Sequence, residues 1–158
     1  MLLYRFKHYI FEYIMENLEQ ILQYWEKDAE MDQTEPGKEL IKIPTLHNKY
    51  LSILTKHKIA SKKAHFDYLR GRKLKIEYYS GRMNQEELQT HGWEPFQFVL
   101  KSDINAYLEG DTDLIKMLEK KVYHEECVSV VESIMNELKQ RTWQLRDFIS
   151  WEKFIGGQ

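Results

Sequence analysis

The sequence predicts an all-α fold: a small helical domain with a long basic helix and a long C-terminal oligomerisation helix. Three observations carry this. Only seven Gly and three Pro interrupt 158 residues, which leaves long stretches free to be helical. Apolar residues recur at three and four positions over much of the chain. Charged residues make up 30% of it, as amphipathic helices with solvated faces require.

The N-terminal MLLYRFKHYIFEYIM is apolar, but Arg5, Lys7, His8 and Glu12 interrupt it. It is therefore too short and too charged to span a bilayer, which takes about 20 apolar residues. Leu3, Phe6, Ile10 and Ile14 have helical spacing, so an amphipathic surface helix is one reading, testable by liposome flotation. The other makes residues 1–14 a dispensable extension before a start at Met15. The remainder divides into 15–101 and 102–158.

A first helix is expected over 16–30, with Leu18, Ile21, Leu22 and Trp25 on one face. Asp32 to Gly37 reads as a turn, with Thr34 and Pro36 opening the next helical stretch. Ile43-Pro44 predicts a boundary, because the residue before proline avoids helical geometry. From Thr45 a long helix follows, with Leu46, Tyr50, Ile53, Leu54, Ala60 and Ala64 on a shared face. Gly71 weakens it by about 1 kcal/mol without ending it. Gly81 caps it in the left-handed conformation.

Asn84 starts a short helix, and Trp93, Phe96 and Phe98 mark an ordered loop. Ser102-Asp103 and Asp111-Thr-Asp113 are N-cap signals. The last helix is expected from Leu114 to Phe154, with His124, Val128, Val131, Met135, Leu138, Thr142, Leu145 and Ile149 at 3,4-spacing and Phe148 widening the stripe. A helix of ~40 residues is about 60 Å long, against ~30–35 Å for a compact chain of this size. The surplus apolar length predicts burial against another copy. Val128, Val131, Met135, Leu138, Leu145, Phe148 and Ile149 are the candidate oligomerisation residues.

Charge is strongly polarised. Between Lys49 and Arg82 lie ten Lys+Arg and two Asp+Glu, a net of +8, while the rest of the chain nets −10. The cations are Lys49, Lys56, Lys58, Lys62, Lys63, Arg70, Arg72, Lys73, Lys75 and Arg82. Lys49, Lys56, Lys63 and Arg70 step by seven and form a slowly winding ridge. Few acidic residues neighbour them in sequence, whereas a purely structural helix is usually laced by i,i+4 pairs. Interleaved Tyr50, Phe66, Tyr68, Tyr78 and Tyr79 suit a polyanion with flat bases. Single-stranded DNA is the predicted ligand of these ten cations. The alternative is a helical scaffold whose basic face binds an acidic protein segment.

No catalytic residues, cofactor or metal ligands are expected. The six histidines lack metal-site spacing. No phosphate-binding glycine loop or nucleophile elbow is present. Cys127 is alone, so no intramolecular disulfide forms and a reducing compartment is expected.

Lys73-Leu-Lys-Ile-Glu-Tyr-Tyr-Ser-Gly-Arg82 resembles the Leu-Lys-Ala-Arg-Leu-Asp-Tyr-Tyr-Ser-Gly-Arg signature of the UvsY family, recombination mediators of T-even-like phages. Trp25-x-x-Asp28, Asp32-x-Thr-Glu-Pro-Gly37, Ile43-Pro-x-Leu-His-x-Lys-Tyr50 and the Phe-x-x-Gly ending are similar too. The resemblance covers roughly 15–158, with a poor match over 83–98. It implies a non-enzymatic helical ring of about six or seven subunits in the cytoplasm of the infected host cell. Its implied partners are single-stranded DNA, a RecA-type recombinase and the phage single-strand binding protein. Lys73 and Lys75 fall on the signature's two basic positions. Leu74 replaces a small residue there, and Arg72 adds a cation just before.

Overall fold

The computed structural model describes residues 15–96 and 99–157. The expectations for residues 1–14 and for Phe98 lie outside them. Five helices are present among the described residues: α1 Leu18–Ala29, α2 Pro36–Tyr79, α3 Gln85–His91, α4 Ile104–Glu109 and α5 Thr112–Ile155. The chain forms two compact units. One is built from the described residues up to Lys58 and from Glu125 onward, the other from Ile59–His124. Residues of α2 and α5 belong to both.

In the first unit, α1 begins with a reciprocal capping box. The Asn17 side chain accepts from the Gln20 N–H at 2.8 Å, and the Gln20 side chain accepts from the Asn17 N–H at 2.9 Å. Two orphan donors are thereby satisfied. Ile21 is fully buried, with Leu18 and Trp25 packed beside the same core. Leu22, expected on that face, is instead exposed, because Ile21 and Trp25 already aim the narrow stripe inward. The following turn is tied by Asp32, whose Oδ1 accepts from both the backbone N–H and the hydroxyl of Thr34.

α2 starts at Pro36, where the missing N–H costs nothing. It then runs through Ile43-Pro44 to Tyr79, so the expected boundary at Pro44 is absent. A proline inside a helix costs about 3 kcal/mol. The burial of Tyr50, Ile53 and Leu54 a few residues on offsets that, at about 1.5–3 kcal/mol per large side chain.

These three residues and Ile21 pack with Cys127, Val131, Ile134 and Leu138 of α5. Several of the expected assembly residues take part in this core. Val131, Leu138 and Leu145 are buried within their own chain, and Val128 and Met135 pack against that same core. Phe148 and Ile149 are half-buried. The apolar stripe of α5 thus closes the monomer's core. Large apolar side chains of α5 that stay exposed are Ile115, Leu118, Val122 and Tyr123 in its first half and Trp143, Trp151, Phe154 and Ile155 in its second.

A polar network seals the end of α1. The Arg141 guanidinium donates to the Asp28 and Ala29 carbonyls at 2.9 and 3.1 Å and lies over the Trp25 ring. It satisfies orphan carbonyls that no C-terminal glycine serves. Lys49 and the Tyr50 hydroxyl both donate to the Asp28 carboxylate. Replacing the buried Arg141 by Met is expected to cost about 3 kcal/mol, because two charge-assisted bonds go and two carbonyls are left unpaired. Urea unfolding would measure this; a cost under about 1 kcal/mol would show that water replaces the cap.

In the second unit, Tyr79, Leu108 and Leu114 form a small core with Tyr68, Ile76, Tyr78, Phe96, Ile104 and Met117. α2 passes Gly71 unbroken; a Cβ there would meet Met117 Sδ at 2.8 Å. Gly81 (φ 65°) ends the chain's turn out of α2 as expected. Asn84 caps α3 with a second reciprocal box involving Glu87. The Trp93 and Phe96 rings lie 4.9 and 5.3 Å from that of Tyr78, an ordered aromatic loop. Asp103 precedes α4 but makes no side-chain cap; it accepts from the Ser102 hydroxyl instead. Asp111 does cap α5, accepting from the Asp113 and Leu114 N–H groups. No helix among the described residues is long and apolar enough to cross a membrane.

Candidate nucleic-acid interface

The basic segment is helical as far as Tyr79, yet its cations differ in what they face. In the first unit, Lys49 pairs with Asp28 at 2.6 Å, Lys56 with Glu16 at 3.1 Å and Lys58 with Glu132 at 2.6 Å. Their acidic partners come from other parts of the chain. The scarcity of acids between Lys49 and Arg82 therefore does not leave these lysines unpaired.

In the second unit, Lys75 departs furthest from an exposed ridge. It is 8% exposed. Its ammonium sits 2.9 Å from Asp111 and 2.8 Å from Asp113 and 4.3 Å from the centre of the Trp93 ring. Burial pushes its pKa down, but the bonds from the two carboxylates outweigh that and hold it above the ordinary lysine value. Tyr79 donates to Asp111 at 2.7 Å, and burial with that bond raises its phenol. Tyr78 donates to the Glu94 carbonyl. Both tyrosines of the signature are thus occupied in packing. Lys75 follows the signature in sequence but turns inward, because it lies on the face of α2 that also carries Ala64 and Tyr68.

The opposite face is open. Ile59, Lys62, Phe66, Leu69 and Lys73 recur at 3,4-spacing and are all exposed. Arg70 stands beside them, its side chain 73% exposed and paired only with Asp67 on its own helix. Such a surface pair is worth about 0–1 kcal/mol, so the guanidinium can exchange it for a phosphate. Lys63 and Arg72 flank the stripe half-buried, and Arg82 follows the cap, exposed. No ion pair is formed by Lys62, Lys73 or Arg82 among the described residues. Of the seven-spaced set, only Arg70 is exposed; Lys49, Lys56 and Lys63 are half-buried.

Phe66 is 56% exposed and is the candidate site residue that charge counting passes over. It is a large ring left in water between Lys62 and Arg70, an aromatic face of the kind on which a base can stack. Its signal was present as a second apolar stripe on α2. The shared face read from the sequence, with Tyr50, Ile53, Leu54, Ala60 and Ala64, is the one that turns inward, and this second stripe is left outside.

No group of three or more His, Cys, Asp or Glu able to hold a metal occurs among the described residues. What the arrangement offers is binding: a straight cationic stripe with one aromatic platform.

A family model described as "Recombination, repair and ssDNA binding protein UvsY" matches residues 24–158. No curated protein matches the chain by sequence. Among solved structures, the bacteriophage T4 recombination mediator protein UvsY in its type II lattice aligns with a TM-score of 0.77 at 20% identity. The alignment covers 89% of this chain and 98% of that one. Its type IV lattice form gives 0.73 at 19% identity, covering 88% and 98%. At such identity the likeness is one of fold.

Proposed function

The chain belongs to the UvsY family, and on that basis we propose that it is a recombination mediator. It binds single-stranded DNA and promotes loading of a RecA-type recombinase onto DNA coated by single-strand binding protein. It does so as a homo-oligomeric ring in the cytoplasm of the infected host cell. The observation that carries the DNA contact is the open stripe of Lys62, Phe66, Arg70 and Lys73. Each lysine that neutralises a phosphate releases a counterion, so affinity accumulates along the stripe and falls with salt. A ring presents several stripes to one strand, and avidity then exceeds the affinity of any one. A strand held in an altered path loosens the resident binding protein and exposes bases to the recombinase. The family is described by binding rather than by catalysis, and the mediator role requires no chemistry at this site.

The test is oligo-dT binding across a salt series. Lys62→Ala with Lys73→Ala is expected to weaken binding about tenfold or more at moderate salt. The slope of log affinity against log salt should shrink by about 1.4 per engaged subunit, from two lost phosphate contacts at about 0.7 each. Phe66→Ala should weaken binding by the ~1–3 kcal/mol of a stacked base without moving the slope. Wild-type binding by the double variant would remove the stripe from the interface. Recombinase assembly on protein-coated single strands, with and without the wild-type chain, tests the mediator step.

A further inference from the structure

Beside the stripe, within the second unit, is an open cavity of about 440 Å³. Small-molecule sites start at about 300 Å³, so it has room for a nucleotide-sized group. Leu74, Leu114 and Met117 form an apolar lining, and the indole of Trp93 stands at the side, stacked with His91 at 4.9 Å. A planar heterocycle suits such walls, and the thioether of Met117 is polarisable enough to follow its edge.

The rim is cationic. Lys116 and Lys120 lie one turn apart on α5 and both border the cavity. Asp113 also borders the cavity and shares the Lys75 ammonium with Asp111, so the two carboxylates outnumber Lys75 by one charge and Lys116 with Lys120 leaves the rim net positive. A flat apolar ring carrying an anionic tail fits this combination.

We propose that the cavity lined by Leu74, Trp93 and Met117 is a subsite for one nucleotide of the bound single strand, its base inside and its phosphate on Lys116 and Lys120. The inference rests on the single-strand-binding reading above. Leu74 and Arg70 are one turn apart on α2, so a strand lying on the stripe reaches the cavity by turning one nucleotide out of the stack. Extruding a base from a single strand costs little, because no pair is broken.

The test compares oligo-dT with the same strand carrying abasic positions, in the full chain. Wild type should bind the abasic strand several-fold more weakly. Trp93→Ala should weaken binding to oligo-dT about tenfold, and its penalty should shrink on the abasic strand. Lys116→Glu, at an exposed site and with its fold to be checked by circular dichroism, should weaken binding to both strands alike. Free thymidine monophosphate competing at millimolar concentration would show that a mononucleotide suffices; failure to compete, with the strand effects intact, would show that the subsite works on a tethered nucleotide. Either outcome supports the subsite. Equal penalties for Trp93→Ala on the two strands, or no effect of Lys116→Glu, would overturn it while leaving the stripe in place. Absence of any oligo-dT binding by wild type would overturn both.

Discussion

Replacing Trp151 and Phe154 by Asp is expected to break the assembly into single chains and lower affinity for long single strands by ~10²-fold or more. Phe154 is 77% exposed, and its helix neighbours Trp151 and Ile155 are open to solvent too. The Trp151 and Phe154 rings stack on each other at 6.1 Å, but their outer faces meet only water in the single chain. Burying each such side chain is worth about 1.5–3 kcal/mol. Two carboxylates in that seam would have to be desolvated on assembly. Because the basic stripe is on α2, each freed subunit should keep a weak, salt-sensitive contact with a short oligonucleotide. Light scattering reads the mass, and binding to short and long strands reads the avidity. A double variant of wild-type mass, or a single chain that holds long strands as tightly as the oligomer, would sink the assignment. Asp at Val131, Leu138 or Leu145 is a different experiment. Those side chains are buried in their own chain, so the substitution unfolds the subunit rather than separating subunits.

Lys75→Ala is expected to cost about 3–5 kcal/mol of stability, the usual result of removing one partner from a buried ion pair. Its neighbour Asp111 is 6% exposed and would keep only the Tyr79 hydroxyl and two backbone N–H groups. At roughly 2–4 °C per kcal/mol for a chain of this size, melting should fall by about 10 °C. Lys73→Ala, two residues and about 200° round the helix away on the open face, should leave melting unchanged and weaken DNA binding. The pH dependence gives an independent check. Burial pushes the Asp111 carboxyl up, but bonds from Lys75, Tyr79 and Leu114 outweigh it and hold its pKa below the ordinary value. A depressed carboxyl contributes stability at pH above its unfolded value, and that stability is lost as pH falls through the folded value. Wild type should therefore lose stability below about pH 4. In Lys75→Ala, with the ammonium gone, that acid loss should be smaller. Equal melting of Lys75→Ala and Lys73→Ala would show that the two carboxylates do not depend on Lys75.

The two lysines of the signature show how far pattern reading reaches. Lys73 and Lys75 are indistinguishable by charge and spacing, and only the packed fold separates them. Lys49, Lys56 and Lys58 teach the same lesson: their carboxylate partners Asp28, Glu16 and Glu132 lie tens of residues away in sequence, beyond any i,i+4 rule. Arg141 was invisible as a cap because its targets, the carbonyls of Asp28 and Ala29, are over a hundred positions distant. Pro44 misled for a related reason, since local backbone preference was outweighed by burial of residues that follow it.

Periodicity was enough to identify an all-α chain, both long helices, the Gly81 stop and the Asp111 start, because caps and 3,4-spacing act over neighbouring residues. Residue matches were enough to point to the family, because the Glu-Tyr-Tyr-Ser-Gly-Arg run is written in the chain itself. Which cations of α2 stay free of carboxylates, and how much of α5's apolar stripe the monomer keeps for itself, were decided by packing. Those are contests between side chains brought together from distant positions, and they leave Lys62 and Lys73 outside.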